Sequence, residues 1–217
     1  MATEITEFNK GVQPHVIGCP MQMVNNAVIQ TIIKFCEETH VWEKAFEHDF
    51  DSSDVDTTDN NSVNVNIESY LEDVRPLLVT EFKIDGATWN TAFIEIENVQ
   101  DDISEIEVTG AKLFTYPDVT HIKFYGIEEE DDQRFYIKQA YAPIPTITTI
   151  DDLFYYRHHE AIKSGALGTL MAMPRKDWSD PVSARHYLGQ YNYGVAMAMI
   201  RKDHTKGSRR PKSMRFF

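Results

Sequence analysis

The sequence contains eight histidines, the side chains that most often bind metals or move protons near neutral pH. The densest group is His158-His159-Glu160. It lacks the His-Glu-x-x-His spacing that brings two imidazoles to one helix face, and consecutive helical residues point about 100° apart. His40 and His48 flank a predicted turn with acidic neighbours, where an adventitious metal site stays open as an alternative. We predict structural or surface histidines and no metal site.

Carboxylates could supply paired acid and base groups, as in glycoside hydrolysis. Between Glu37 and Asp132, however, there are 26 acidic residues, so no single pair stands out and a solvated acidic surface is the simpler interpretation. The sequence has no Gly-x-Ser-x-Gly, no Gly-x-x-x-x-Gly-Lys-Ser/Thr and no Gly-x-Gly-x-x-Gly motif. Cys19 and Cys36 have neither zinc-site spacing nor a histidine placed to activate a thiol. We predict a protein that is not an enzyme, with no catalytic residues and no cofactor.

Charge is distributed unevenly along the 217 residues, whose formal net charge is −13. Residues 201–217 carry a net charge of +6, so residues 1–200 carry −19. An acidic body repels phosphates, which excludes sequence-specific DNA binding by residues 1–200. The basic end instead predicts a tail that docks on an acidic partner. Its terminal Phe216-Phe217 favours insertion into an apolar pocket, because exposed aromatic rings gain from leaving water.

Neither a membrane-spanning segment nor a signal peptide is predicted. No apolar run approaches the roughly 20 residues that span a bilayer. The N-terminal residues lack the basic and apolar regions of a signal peptide, so we expect a soluble protein made in a reducing compartment.

Two types of periodicity follow one another in the first two thirds of the chain. After Pro20, apolar residues recur every three or four positions, which predicts one amphipathic helix of about 18 to 20 residues. Over residues 42–148, short β-branched and aromatic runs alternate with turn signals such as Asp85-Gly86. This pattern predicts five to seven antiparallel strands. The polar segment 49–61 is expected to be a long loop.

Helical periodicity returns after residue 150, where Asp151 suits a helix start and Asp180-Pro181 suits the start of a second helix. Glycine costs up to about 1 kcal/mol in a helix relative to alanine, so helical glycines need a packing reason. We therefore predict that another helix packs closely against a line of small residues in the first of these helices: Ala161, Gly165, Gly168 and Ala172.

These elements predict an α+β fold class: a helical bundle with one N-terminal and two C-terminal long helices, an inserted antiparallel β-rich domain and an extended C-terminal tail. The predicted helical bundle domain comprises residues 1–42 and 149–206. The β-sandwich or barrel-like domain comprises residues 43–148, and the basic tail comprises residues 207–217.

Three segments also carry a resemblance. The first runs from Gly18-Cys19-Pro20 to Phe35-Cys36-Glu37-Glu38-Thr39 and Trp42. The second runs from His159 to Leu170 and continues through Met173-Pro174-Arg175-Lys176-Asp177-Trp178-Ser179-Asp180-Pro181. The third is the basic end from Arg209 to Phe217. In this order the segments resemble the head-to-tail adaptor proteins of short-tailed bacteriophages. This family comprises connector proteins that are similar to tail tubular protein A.

The resemblance implies a structural virion protein that forms a ring of about a dozen subunits, joins the portal vertex to the tail and continues the DNA channel. Its partners would be further copies of itself, the portal protein, a downstream tail or nozzle protein, and passing double-stranded DNA without sequence-specific binding. It would lie in the tail or neck of the virion after assembly in the host cytoplasm, and would contact no membrane. The resemblance also implies a portal-binding tail with these residues: Arg209, Arg210, Pro211, Lys212, Met214, Arg215, Phe216 and Phe217.

Two other functions stay open. Another phage tail structural protein, or a β protein that binds the host surface, would need an exposed aromatic patch on its strands and leaves the basic tail unexplained. A cell-wall hydrolase is the more distant alternative, because no catalytic motif supports it.

Overall fold

A computed structural model of the chain describes residues 2–49, 55–56, 62–67, 73–84, 93–95, 112–118, 121–125 and 134–205. The protein is mixed α/β and divides into two compact units. The helical unit combines Met1–Val41 with Pro145–Phe217, and the β unit is Trp42–Ile144. Within the described residues, no helix is both long enough and apolar enough to cross a membrane.

Helices flank a central run of strands along the chain. A short 3₁₀ turn, Gln13–His15, follows the first helix. The elements in chain order are β1 (Ala2–Glu4), α1 (Thr6–Val12), α2 (Met21–Thr39), β2 (Glu43–Asp49), β3 (Val55–Asp56), β4 (Ser62–Asn66), β5 (Val74–Ile84), β6 (Phe93–Glu95), β7 (Lys112–Asp118), β8 (His121–Tyr125), β9 (Arg134–Pro143), β10 (Thr149–Asp151), α3 (Asp152–Met171) and α4 (Pro181–Thr205).

Helix α2 begins directly after Pro20, whose φ of −59° suits the position before a helix. It ends where His40 adopts a left-handed conformation, with φ of 50°, and donates its N–H to the Cys36 carbonyl at 2.8 Å. The predicted apolar stripe of this helix is buried. Its fully buried members are Val24, Val28, Ile32, Phe35 and Cys36.

Side-chain caps start both C-terminal helices. The Asp151 side chain accepts hydrogen bonds from two N–H groups in the first turn of α3, at 2.7 and 3.3 Å. The Asp180 side chain does the same for α4, with both distances at 3.1 Å. Each cap satisfies N–H groups that a helix leaves without internal partners. The predicted starts of these two helices are confirmed.

Helix α3 packs between α2 and α4, and at its glycines the backbone lies very close to side chains of both helices. A Cβ atom added to Gly165 would lie 2.5 Å from Thr31 Cγ2 on α2 and 2.7 Å from Tyr191 Cδ2 on α4. A Cβ atom added to Gly168 would lie 2.7 Å from Leu188 Cγ on α4. These separations are too short for carbon atoms in van der Waals contact. The glycines therefore let the three helices approach one another.

Helix α4 contacts the rest of the helical unit along one narrow line. The buried side chains among its described residues are Ala184, Tyr191 and Ala198, at intervals of seven residues. Such a repeat keeps one edge of a helix against its neighbour over many turns. Near its end, the Lys202 ammonium donates a hydrogen bond at 2.6 Å to the carbonyl of His40, the residue that follows α2.

Glu38, near the end of α2, has a tertiary explanation. Glu38 lies in the last turn, where the helix dipole disfavours a negative charge. Its carboxylate accepts a hydrogen bond from the Tyr191 hydroxyl of α4 at 2.7 Å, and Lys34 Nζ lies 3.7 Å from it. Glu38 thus occupies an electrostatically unfavourable position in α2, where its carboxylate can accept the hydrogen bond from Tyr191 of α4.

The β unit contains a three-stranded sheet in the order β2-β9-β5 and a five-stranded sheet in the order β3-β4-β8-β7-β6. Phe46 pairs with Ile137 in the first sheet, and Val65 pairs with Ile122 in the second. Both sheets contribute to one apolar cluster, as alternating strands with one buried face do. Its members are Phe46, Val63, Val65, Ile67, Val79, Ile122, Phe124, Phe135 and Ile137.

Two features of the β unit correct the prediction. Strands β6 and β7 pair in parallel, whereas only antiparallel strands were expected. Residues 96–111 connect them, and that length satisfies the dozen or more residues that a parallel connection needs. The segment 49–61 is not entirely a loop, because β2 includes Asp49 and Val55–Asp56 pairs with β4. Ladder hydrogen bonds with a neighbouring strand override the polar local composition there.

Gly165 and Gly189 give a matched test of the close packing. Gly165→Ala should lower the free energy of unfolding by about 1 to 3 kcal/mol, because the new methyl group overpacks the contact with Thr31 and Tyr191. Gly189 lies within α4, and an added Cβ there meets nothing within 4 Å. Gly189→Ala should therefore raise the same free energy by up to about 1 kcal/mol through helix propensity. Urea denaturation measures both values, and equal effects would contradict this packing.

Candidate functional site

The predicted portal-binding tail lies outside the described residues. Helix α4 leads the chain towards it and ends at Thr205. The role of the tail therefore stays a prediction for each of its residues: Arg209, Arg210, Pro211, Lys212, Met214, Arg215, Phe216 and Phe217.

Three members of the small-residue line lie in helix contacts. Gly165 and Gly168 face the neighbours described above, and Ala161 lies against Gly194 of α4 so closely that a Cβ atom at Gly194 would overlap it. Ala172 does not share this position. It is an exposed residue that follows the last turn of α3, where its N–H bonds to the Gly168 carbonyl at 3.2 Å.

The adjacent histidines of α3 lie in different environments. The His158 ring packs 5.0 Å from the Phe35 ring and 5.1 Å from the Phe154 ring. His159 stacks on Tyr155 at 5.3 Å, and its Nε2 lies 3.3 Å from the Glu160 carboxylate. Among the described residues, no three histidine, cysteine or acidic side chains come together as a metal-binding group.

Burial sets the protonation of several side chains in the helical unit. It lowers the pKa of His158 to about 4, with additional repulsion from the Arg157 and Arg201 charges. Burial also raises the pKa of the Cys36 thiol, and the pKa of the Cys19 thiol is raised for the same reason. These groups are therefore neutral near pH 7, and a neutral thiol is a poor nucleophile and metal ligand.

A groove that the sequence analysis does not predict lies between α3 and α4. We call it the α3–α4 groove. It has a volume of about 750 Å³ and is lined by α3 residues between Arg157 and Ser164 and by α4 residues between Arg185 and Arg201. The apolar part of its lining is provided by small residues and Met197, and Tyr193 stands beside it with 69% of its surface exposed.

The charges around the α3–α4 groove are mainly positive. Arg157, Arg185 and Arg201 are exposed at its edges. Within the part of the chain that the structure describes, none of these guanidinium groups forms an ion pair. Among the described residues that line the groove, Glu160 provides the one carboxylate, and it is already engaged with Lys163 at 3.6 Å and with the neighbouring histidine.

Periodicity within one helix could not indicate this groove, because it is formed by two helices that only the fold brings together. The contributing residues lie between positions 157 and 201 and share no motif. The chemical signal present in the sequence is the set of arginines in a strongly acidic chain.

No protein-family model and no curated protein matches this chain. Its function is therefore inferred from its residues and their placement.

The buried His158 makes a pH-dependent contribution to stability. Its pKa is about 4 in the folded protein against 6.5 without burial, so the unfolded chain binds the proton at higher pH. The contribution is present above pH 6.5 and is lost as the pH falls through about 4. After allowance for partial exposure, the loss should be about 2 kcal/mol. His158→Gln should remove this part of the pH dependence.

Urea unfolding of both proteins at about pH 7 and about pH 4.5 tests this expectation. The difference in the free energy of unfolding between wild type and His158→Gln should shrink at the lower pH. A difference that is the same at both pH values would show that His158 does not titrate as its burial indicates.

Proposed function

We propose that this protein is a structural virion protein, a head-to-tail adaptor that forms a ring, joins the portal vertex to the tail and continues the DNA channel. The proposal starts from the resemblance of the three sequence segments to adaptor proteins of short-tailed bacteriophages. The chain would act through surfaces that bind other proteins and would have no catalytic centre.

The exposed surface of α4 is the observation that carries the proposal. This 25-residue helix buries only three of its described side chains in the chain itself. Apolar residues elsewhere along it remain in water, among them Val182 at 80% and Ile200 at 48% exposure. A surface helix of a monomer normally buries a wider stripe. An uncovered apolar surface on a well-capped helix supports a protein that works within an assembly.

The distribution of charge supports a role beside moving DNA. Residues 1–200 carry a net charge of −19. Each phosphate contact by a basic side chain adds affinity, so a basic channel wall would retain DNA. An acidic ring would repel phosphates and allow the duplex to slide, without sequence-specific binding. The same repulsion between copies would keep their association weak until a portal template supports full assembly.

The basic tail would supply the anchor to the portal. Its four basic residues between positions 209 and 215 would pair with acidic portal side chains or carbonyl groups. Phe216 and Phe217 would fill an apolar groove, where two buried rings contribute about 3 to 6 kcal/mol before the ordering of the tail is subtracted. Because every subunit of the ring would carry such a tail, even a small net binding free energy per subunit would add up over the ring.

Deletion of residues 208–217 tests the function directly. The truncated protein should keep the thermal stability of the wild type and should fail to join DNA-filled heads, because the anchor is lost while the helical unit is intact. Electron microscopy and sedimentation of heads incubated with each protein would measure the joining.

Two substituted proteins sharpen this test. Phe216→Ala/Phe217→Ala should reproduce most of the defect, and Ser208→Ala/Ser213→Ala is the matched control that should behave as wild type. Normal joining and sealing of heads by the truncated protein would show that the tail is not the anchor. A wild-type protein that never binds heads would refute the adaptor function as a whole.

A further inference from the structure

We propose that the α3–α4 groove receives an acidic segment from a second copy of this chain, the run Glu128–Asp132. The proposal rests on the adaptor function in one respect, that copies of the chain meet in a ring. It names the surface through which they meet.

Three guanidinium groups that have no ion-pair partner among the described residues define what the groove can bind. Arg157, Arg185 and Arg201 line it and form no ion pair with any described residue. Guanidinium groups bind carboxylates through two parallel hydrogen bonds, which is the geometry for which arginine is best suited. Glu160, the one carboxylate in the lining, is held by Lys163 at 3.6 Å. The groove therefore lacks the negative charge that its arginines would bind.

The shape of the groove favours a polypeptide over a nucleic acid. Its volume of about 750 Å³ suits a few side chains, whereas duplex DNA spreads its phosphates over a long surface. Its lining combines the arginines with apolar atoms such as those of Met197, beside the exposed ring of Tyr193.

The chain itself contains a complementary segment. Glu128–Asp132 is a run of five consecutive acidic residues, preceded by Ile127. Its carboxylates match the arginines in chemistry, and the isoleucine offers an apolar side chain to the lining. Charge complementarity of this kind steers two surfaces together and sets their register.

The sign of the charges also limits the symmetry of the contact. A basic groove placed against the same groove of another copy would be repelled, so a two-fold contact in which the two grooves face each other is excluded. A groove that binds a different segment of the next copy permits a head-to-tail contact, in which the groove of each copy holds the run of the next. Contacts of that type close into rings when the rotation between copies permits it.

A double-mutant cycle tests the contact in the full-length protein. Sedimentation velocity at low salt would measure self-association of wild type, of the groove variant Arg157→Gln/Arg185→Gln, of the run variant Glu128→Gln/Glu129→Gln/Glu130→Gln, and of their combination. Each variant alone should weaken association about tenfold, and the combination should weaken it no further, because both remove one interaction. Lys10→Gln/Lys176→Gln removes the same charge as the groove variant and should have no effect.

A labelled peptide of residues 124–134 provides the second measurement. Wild-type protein should bind it and release it as salt is raised, and the groove variant should bind it about tenfold more weakly than the lysine control. The proposal is wrong if wild type neither self-associates nor binds the peptide at about 1 mM protein. It is equally wrong if the losses in the cycle are additive. If wild-type protein binds a DNA duplex more tightly than it binds the peptide, and the groove variant loses this DNA binding, the groove would be assigned to nucleic acid instead.

The outcomes separate this contact from the adaptor function. A groove variant that self-associates as wild type does would overturn the contact, even if the wild-type protein joins heads. Wild-type protein that fails to join heads would overturn the adaptor function, whatever the peptide measurement gives.

Discussion

The close approach of three helices at Gly165 is the constraint on which the helical unit depends. The Thr31 hydroxyl donates to the Ala27 carbonyl at 2.7 Å within α2, and its methyl group lies against the glycine from that side. The Tyr191 ring lies against it from α4 and carries its hydroxyl to within 2.7 Å of Glu38. One missing side chain thus permits contacts among α2, α3 and α4. A hydrogen bond to a charged group contributes about 1.5 to 3 kcal/mol. The close approach at the glycine therefore also permits a stabilising polar contact between α2 and α4.

Local signals predicted the three long helices well, whereas the short helix α1 and the 3₁₀ turn after it were not predicted. The buried stripe of α2 follows from its periodicity, and the starts of α3 and α4 follow from Asp151 and Asp180, because a cap acts within one helical turn. The glycines of α3 could also be interpreted from sequence, since a helix accepts glycine only where something packs closely. These features depend on residues that are neighbours in the chain.

Features that depend on distant pairing were not predictable in this way. Strand β1 is defined by its pairing with β10, which follows the whole of the β unit in sequence. Strand β5 contains Pro76, which argues against a strand unless it lies at a sheet edge beside an irregularity, as it does here. The parallel pairing of β6 with β7 and the α3–α4 groove also depend on residues that are distant in sequence. Each is created by a juxtaposition that no local spacing encodes.

The helical unit is discontinuous in sequence, and this affects the order in which the protein can fold during synthesis. Helix α2 leaves the ribosome before the β unit, yet its apolar face is covered by α3 and α4, which come after Ile144. At about 5 to 20 residues per second, the intervening roughly 100 residues take about 5 to 20 s to make. During that interval Ile32 and Phe35 have no native partner from α3 or α4, whereas the β unit has all its strands as soon as the interval ends. The nascent chain therefore presents an apolar helix to chaperones and to other nascent chains until the last helices are synthesised.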